Sequence, residues 1–274
     1  MMKQPSFRRS ALFAMALVLG LGTGVVAQTA QTTKPFEPVV SQPGKDVVWV
    51  PTPQTLVDKM LDMAKVTPQD IVMDLGSGDG RTVITAAKRG ARAYGIEYNP
   101  DMVELSKRNA AAAGVSDKAT FEKADLFETD LSKATVITLF LLPRINMELR
   151  PKILNLKPGT RIVSNTFTME DWRPDESATV TGCERWCEAL FWIVPAKVAG
   201  TWRMTMPQGT LTLTQTFQEL TGTLGSTAIT NGKMRGEEIS FTAGGAQYTG
   251  RVNGSTIQGT STSAGRATPW TATR

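Results

Sequence analysis

Three acidic residues and a run of glycines stand where a folded α/β chain would bring them to one edge of a sheet. Asp74 precedes Gly76, Gly78 and Gly80 in Val72-Met73-Asp74-Leu75-Gly76-Ser77-Gly78-Asp79-Gly80-Arg81. A glycine turn between a strand and a helix lets backbone N–H groups approach a ligand at the helix N-terminus. Glu97 closes the next apolar segment, in Gly95-Ile96-Glu97-Tyr98-Asn99-Pro100, where a carboxylate can accept both hydroxyls of a ribose. Asp125 follows the third segment, close to where an adenine ring would lie. The spacing Gly-x-Gly-x-Gly, with an acid two residues earlier, departs from the Gly-x-Gly-x-x-Gly that cradles a pyrophosphate. A glycine turn alone is weak evidence; glycine turn, acid after strand two and acid after strand three, in that order, form a strong signal.

The rest of the composition narrows the chemistry. The 274 residues include no histidine and two cysteines. Without imidazole, a Ser-His-Asp or Cys-His nucleophile pair, a histidine zinc site and a histidine general base are all excluded. Two cysteines cannot build a tetrathiolate zinc or iron–sulfur centre, so no metal is expected. Catalysis must use carboxylates, backbone groups, hydroxyls, a lysine or tyrosine, or a cofactor that brings its own reactivity.

The elements that must position these residues follow from periodicity. Thr52 to Ala64 carries Leu56, Val57, Met60, Leu61 and Ala64 at helical spacing, with Thr52 as the cap and Pro53 at the first helical position. From Asp70 strand and helix alternate: strand 71–75, helix 81–89, strand 91–97, helix 100–113 closed by Gly114, strand 119–123, a buried strand 135–142, helix 145–154 and strand 160–165. Residues 189–198 read as part of a final hairpin. This alternation predicts an α/β fold with a doubly wound, mostly parallel sheet over 47–198. From 199 to 274 Thr, Gly and Ser dominate. Leu220/Gly222, Met234/Gly236, Tyr248/Gly250 and Ile257/Gly259 repeat an apolar residue two positions before a glycine. Short strands at this spacing predict a small all-β domain, a meander or open barrel, either a docking module or an accessory domain of unstated role.

On the motifs DLGSGDG, GIEYNP and KADLF, the chain resembles the class I, Rossmann-like S-adenosylmethionine (SAM) dependent methyltransferases over about 47–198. The resemblance implies SAM as cofactor. It implies that Asp74 holds the methionine part, that Gly76, Gly78 and Gly80 contact the cofactor backbone together with Ser77, that Glu97 binds ribose, and that Asp125, followed by Leu126, binds the adenine amino group. Val50-Pro51-Thr52-Pro53, DLGSGDGRTVI, Phe140-Leu141-Leu142-Pro143 and Trp172-Arg173-Pro174-Asp175 are similar to the protein-lysine methyltransferases related to the one that modifies the c subunit of ATP synthase. That likeness implies a protein substrate offering a lysine side chain. A small-molecule methyltransferase, and a non-catalytic exported nucleoside-binding protein whose β domain binds the envelope, are the alternatives.

A SAM-dependent reaction asks little acid–base chemistry of the protein, because the sulfonium is already electrophilic; alignment and exclusion of water are the tasks. A lysine acceptor must first lose a proton, which desolvation in an aromatic slot favours. Trp49, Trp172 and the Phe140–Pro143 turn, Pro143 included, are candidates to build that slot, and Asn146 to orient the amine through its side-chain oxygen. Phe140–Leu142 can equally be buried strand, and Trp49 or Trp172 core. Glu170 and Asp171 are possible proton acceptors or exposed loop charges. Cys183 and Cys187 read as a local disulfide, as adjacent thiols or as a redox pair.

Lys3, Arg8 and Arg9 precede an apolar run from Ala11 to Val26, and no acid appears before Glu37. This reads as a signal peptide over 1–27 cleaved after Ala27, followed by a disordered Gln/Thr/Pro-rich spacer over 28–46; an uncleaved membrane anchor is the alternative. Membrane contact is expected only through that segment. Of 30 basic and 25 acidic residues it holds three cations and no anion, so the formal charge falls from +5 to +2 on cleavage. Nucleic acid is not suggested as a partner. The expected location is periplasmic or secreted, which is awkward for an enzyme whose cofactor is made in the cytosol. An anchor at the inner face, binding without turnover, or an external SAM pool would each resolve the conflict. Arg8-Arg9-Ser10-Ala11-Leu12 loosely resembles a twin-arginine signal, which exports folded proteins.

Overall fold

The structure, a computed structural model, describes residues 1–2, 36–205 and 208–274. The expected signal peptide, its twin-arginine motif and the first part of the spacer lie outside the described residues. The body from Phe36 to Arg274 forms one compact unit.

Its first half follows the predicted alternation: α1 (Gln54–Met63), β1 (Ile71–Leu75), α2 (Arg81–Lys88), β2 (Arg92–Glu97), α3 (Pro100–Ala112), β3 (Ala119–Lys123), β4 (Val136–Leu139), α4 (Pro143–Ile153), β5 (Arg161–Asn165), β6 (Glu176–Thr179) and β7 (Glu188–Ile193). The seven strands lie in the order β3-β2-β1-β4-β5-β7-β6, with β7 the antiparallel member between β5 and β6. Parallel strands covered on both faces must be apolar almost throughout, as the fully buried Val136–Leu139 is. One core lies under α1, α2 and α3; the other, around Leu75, Ile137, Leu139, Leu149 and Trp192, lies under α4.

Local chemistry fixes the helix starts that matter. Asn99 caps α3 by accepting the Asp101 N–H at 2.9 Å, and Pro100 takes the first turn, where its missing N–H is harmless. Thr52 does not cap α1, as its sequence position suggests it would. Pro53 occupies the cap, and the buried Thr52 hydroxyl instead accepts the Asn165 side-chain amide at 3.3 Å. The spacer expected up to residue 46 is likewise ordered from Phe36. Ser41 donates to the Trp49 carbonyl and Trp49 to that of Gln42, while Arg108 on α3 donates to the Phe36 carbonyl at 3.1 Å. Residues 36–50 thus form a strap held by long-range contacts.

The second half is all β: β8 (Gly200–Thr205), β9 (Gln208–Thr216), β10 (Glu219–Leu224), the short β11 (Thr227–Ala228), β12 (Thr230–Arg235), β13 (Glu238–Ala243), β14 (Ala246–Asn253), β15 (Thr256–Ser263) and β16 (Arg266–Thr273). Consecutive strands pair antiparallel. β16 pairs back to β8 and β9 pairs with β10, so eight strands close into a barrel with β11 outside the ring. The meander expected from the sequence therefore closes rather than staying open. The apolar residues of the repeat, Leu220, Met234, Tyr248 and Ile257, all point into the core, with Trp202, Phe241 and Trp270. Side chains fill the interior as in other small barrels. The glycines of the repeat let strands approach: a Cβ at Gly259 would lie 1.9 Å from the Thr249 carbonyl oxygen. At the closure Arg274 donates to the Lys197 and Ala199 carbonyls and lies over the Trp202 ring.

The two halves meet through specific contacts. Ala196 donates to the Gly236 carbonyl, Gln218 to that of Arg173, and Arg235 pairs with Glu176 at 2.6 Å. Phe217 stacks on Trp172.

Candidate functional site

Every parallel strand of the sheet points its C-terminal end at one crevice, the usual place for a ligand in such folds. β1 runs into the glycine turn, which reverses the chain and opens α2. Gly76, Gly78 and Gly80 have φ of +77°, +55° and +82°. At Gly78 a side chain is excluded twice, by that left-handed backbone and by Trp49, whose Nε1 would lie 2.6 Å from a Cβ. The turn therefore presents bare backbone to the crevice.

The three acids stand at the ends of successive strands. Asp74, buried in β1, accepts a 2.5 Å hydrogen bond from the Thr138 hydroxyl of β4. Burial, helped by the charges of Asp79 and Glu97 and opposed by the Thr138 hydrogen bond, pushes its carboxyl up to about 7. Glu97, at the end of β2, has its two carboxylate oxygens fixed by the N–H groups of Gly78 and Asn99, both at 2.9 Å. Asp125, just past β3, accepts from Lys45 of the strap at 2.6 Å and from the Phe127 N–H at 3.0 Å. The hydrogen bond and charge of Lys45 hold the Asp125 carboxyl below its ordinary range, and Asp125 in turn raises the Lys45 ammonium. Lys45 Nζ also sits 5.0 Å from the Tyr98 ring centroid.

The three acids, Gly76 and Gly78 line one cavity together with Ser77, Leu126 and the strap residues Gln42 to Thr52, whereas Gly80, expected among the cofactor contacts, lies outside it and packs against Phe121 and Ser106. The Ser77 hydroxyl is buried without a protein partner. A bare-backbone cradle, an orphan hydroxyl and carboxylates at both ends of the crevice suit a ligand with a cationic amino group, a ribose and a base. Among the described residues no cluster of His, Cys, Asp or Glu could hold a metal ion.

The far end of the cavity is aromatic. Phe140 follows β4 and Phe167 follows β5, with ring centroids 5.8 Å apart and planes near parallel. Trp186, from the loop before β7, meets the Phe140 ring edge-on at 5.9 Å. Leu142 continues the wall, and Trp49 and Leu141 carry it back to the glycine turn, where they face Gly78 and Gly76. Sequence reasoning misses Phe167 and Trp186. The signal for Phe167 is an aromatic just beyond a strand end; for Trp186 it is an aromatic between two cysteines that are bonded to each other, with Cα atoms 5.7 Å apart.

Three expected slot residues lie elsewhere. Trp172 is fully buried between Trp192 and Phe217, on the side facing the barrel, because the Met169–Trp172 bridge turns it away from the crevice. Pro143 starts α4 and does not line the cavity. Asn146 is buried behind the wall: its amide donates to the Phe167 and Thr168 carbonyls at 3.3 and 3.1 Å, and its own oxygen has no partner. It holds the segment carrying Phe167 and does not reach the crevice. Glu170 and Asp171 also lie outside the cavity, Asp171 paired with Arg150.

Comparison with known proteins agrees with this geometry. A family model described as the ANTKMT methyltransferase domain matches residues 74–176. A protein-lysine N-methyltransferase of Saccharolobus islandicus is 47% identical over 133 residues, which cover 47% of this chain and 83% of that protein. The chain belongs to the protein-lysine methyltransferase family. The lysine N-methyltransferase of the ATP synthase c subunit from Xenopus laevis is 35% identical over 128 residues, 46% of this chain and 56% of that relative, so the chain spans little more than half of the vertebrate protein. A crystal structure described as an RNA methyltransferase from Salinibacter ruber with S-adenosylhomocysteine superposes with a TM-score of 0.52 at 46% identity, covering 54% of this chain and 96% of that one. The cofactor of the methyltransferase half is thus SAM.

Proposed function

We propose that this protein methylates the side-chain amine of a lysine in a partner protein, outside the cytosol. The observation that carries the acceptor assignment is the Phe140–Phe167–Trp186 wall next to the glycine cradle. Aromatic faces attract an alkylammonium and, by excluding water, favour its neutral, nucleophilic form.

Bound SAM supplies an electrophilic methyl group. The chain's own residues bind and orient. Glu97, its oxygens already aligned by the Gly78 and Asn99 N–H groups, takes the ribose hydroxyls. Asp74 balances the cationic methionine end, and Asp125 with Leu126 meets the adenine. Asn146, through the two carbonyls it grips, sets the position of Phe167. The acceptor enters as its ammonium against the rings and releases its proton to solvent before methyl transfer.

Export is supported by the N-terminal basic–apolar pattern and by the Cys183–Cys187 disulfide, a bond that persists in oxidising compartments. The test is calorimetry with SAM followed by transfer from methyl-labelled SAM into envelope extract. Binding lost in Glu97→Ala, with label recovered as methyllysine in protein, is the expected result. Binding that ignores Glu97→Ala, or label recovered in RNA or small molecules, would overturn the reading.

A further inference from the structure

Trp186 reaches the cavity from an exposed loop, Thr181 to Cys187, that has little of its own to hold it. It stands at φ +55° between Arg185 and Cys187 with 37% of its surface exposed, and Phe140 is the aromatic ring it meets. Two features fix it. Val180 donates to the Cys187 carbonyl, extending the β6–β7 ladder by one rung, and the Cys183–Cys187 bond closes the residues that carry the indole into a five-residue ring. A tryptophan on an open loop would sample many rotamers and backbone states; the ring removes most of them on the side facing the slot.

We propose that Trp186 is an acceptor-binding residue and that the Cys183–Cys187 disulfide is its positioning element, so that capture of the acceptor amine requires the oxidised pair while cofactor binding does not. The inference rests on the lysine reading of the aromatic slot. Its geometry is specific. Phe140 and Phe167 stand on the C-terminal ends of adjacent parallel strands, and Trp186 stands at the N-terminal end of the antiparallel β7, the strand that pairs with β5, which puts all three rings at the same edge of the sheet. The groups assigned to the cofactor, Asp74, Gly76 to Gly80, Glu97 and Asp125, come from the other half of the crevice and make no hydrogen bond to the 181–187 loop. Reduction by a dithiol breaks the Sγ–Sγ bond, delivers two electrons and two protons to the cysteines, and leaves the dithiol as its own disulfide.

The experiment uses the full chain saturated with S-adenosylhomocysteine and n-butylamine as the lysine side-chain probe, its binding followed by NMR. Five samples are compared: wild type oxidised, wild type reduced and alkylated with both thiols confirmed by mass, Trp186→Ala oxidised, Trp186→Ala reduced and alkylated in the same way, and Trp186→Phe. The expected result is butylamine binding weaker by about tenfold in both the reduced protein and Trp186→Ala, the size of one partly desolvated cation–ring contact. Trp186→Phe restores most of it, reduction adds nothing further to Trp186→Ala, and S-adenosylhomocysteine affinity is unchanged throughout. That unchanged affinity also reports that the variants are folded. Equal butylamine binding by oxidised, reduced and Trp186→Ala protein overturns this inference alone. No butylamine binding by the oxidised wild type defeats the lysine reading, and this inference with it.

Discussion

Asp74 offers the sharpest test of how the cofactor half works, because one buried carboxyl couples pH to both stability and binding. With its carboxyl raised to about 7 from an ordinary 3.8, the folded chain holds a proton that the unfolded chain has released over that interval. Stability therefore falls as pH rises from about 4 to about 7 and levels off above, by up to about 4 kcal/mol, since each pH unit between the two values contributes about 1.36 kcal/mol. Binding has the opposite sign. A cationic amino group at Asp74 needs the ionised form, so affinity for S-adenosylhomocysteine should rise with pH and be about tenfold weaker at about pH 6 than at about pH 8. Asp74→Asn keeps the shape and a carbonyl oxygen for the Thr138 hydroxyl. It should flatten both profiles, stabilise the free protein near pH 8 and bind the ligand weakly at every pH. Calorimetry gives the affinities and urea unfolding across pH gives the stability. A wild-type affinity independent of pH, or an Asp74→Asn profile as steep as the wild type, would refute the assignment of Asp74 as the counter-ion of the methionine end.

Gly78→Ala places a methyl group 2.6 Å from Trp49 Nε1 at a φ of +55°, so cofactor affinity measured by calorimetry should fall at least about tenfold as the strap is displaced from the turn. Arg161, which donates to the Ala64 carbonyl and pairs with the nearly buried Asp70, should cost about 3 kcal/mol in urea unfolding when changed to Ala, because Asp70 is left charged without its cation. Asp70 is held below its ordinary range against the cost of its burial by Thr135, Thr67 and Arg161, so the wild-type contribution from this pair should disappear as pH falls below about 4.

The parts of this structure that are legible in the sequence are those whose cause is local. α3 is readable because Asn99 and Pro100 open it and Gly114, at φ +68°, follows its end. The placement of Asp74, Glu97 and Asp125 along one edge of the sheet is readable because strand ends and acids coincide three times in order. Trp172 misleads because an aromatic type marks burial without marking which core; only the turn at Met169 sends it toward Phe217. The strap from Phe36 to Val50 is invisible because its order comes from partners far along the chain, Arg108, Met102 and Asp125. Barrel closure is invisible for the same reason: a meander and a barrel share every local pairing, the β9–β10 hairpin included, and differ only in the contacts that join β8 to β16.

That last joint has a mechanical meaning. The barrel's first and last strands lie side by side, and Arg274 grips the carbonyls of Lys197 and Ala199, so the module's entry and exit meet at one point. Tension applied between residue 198 and residue 274 would load a short seam, the Met204–Ala272 and Arg203–Thr273 pairs, before any longer ladder felt it. The seam would unzip first and leave the nine-residue β9 and the eight-residue β14, β15 and β16 as the resistant remainder. In engineering terms the barrel is a cassette whose ring has a single socket, and its transfer to another domain would require rebuilding that socket and the Gln218, Arg235 and Phe217 contacts with the first half.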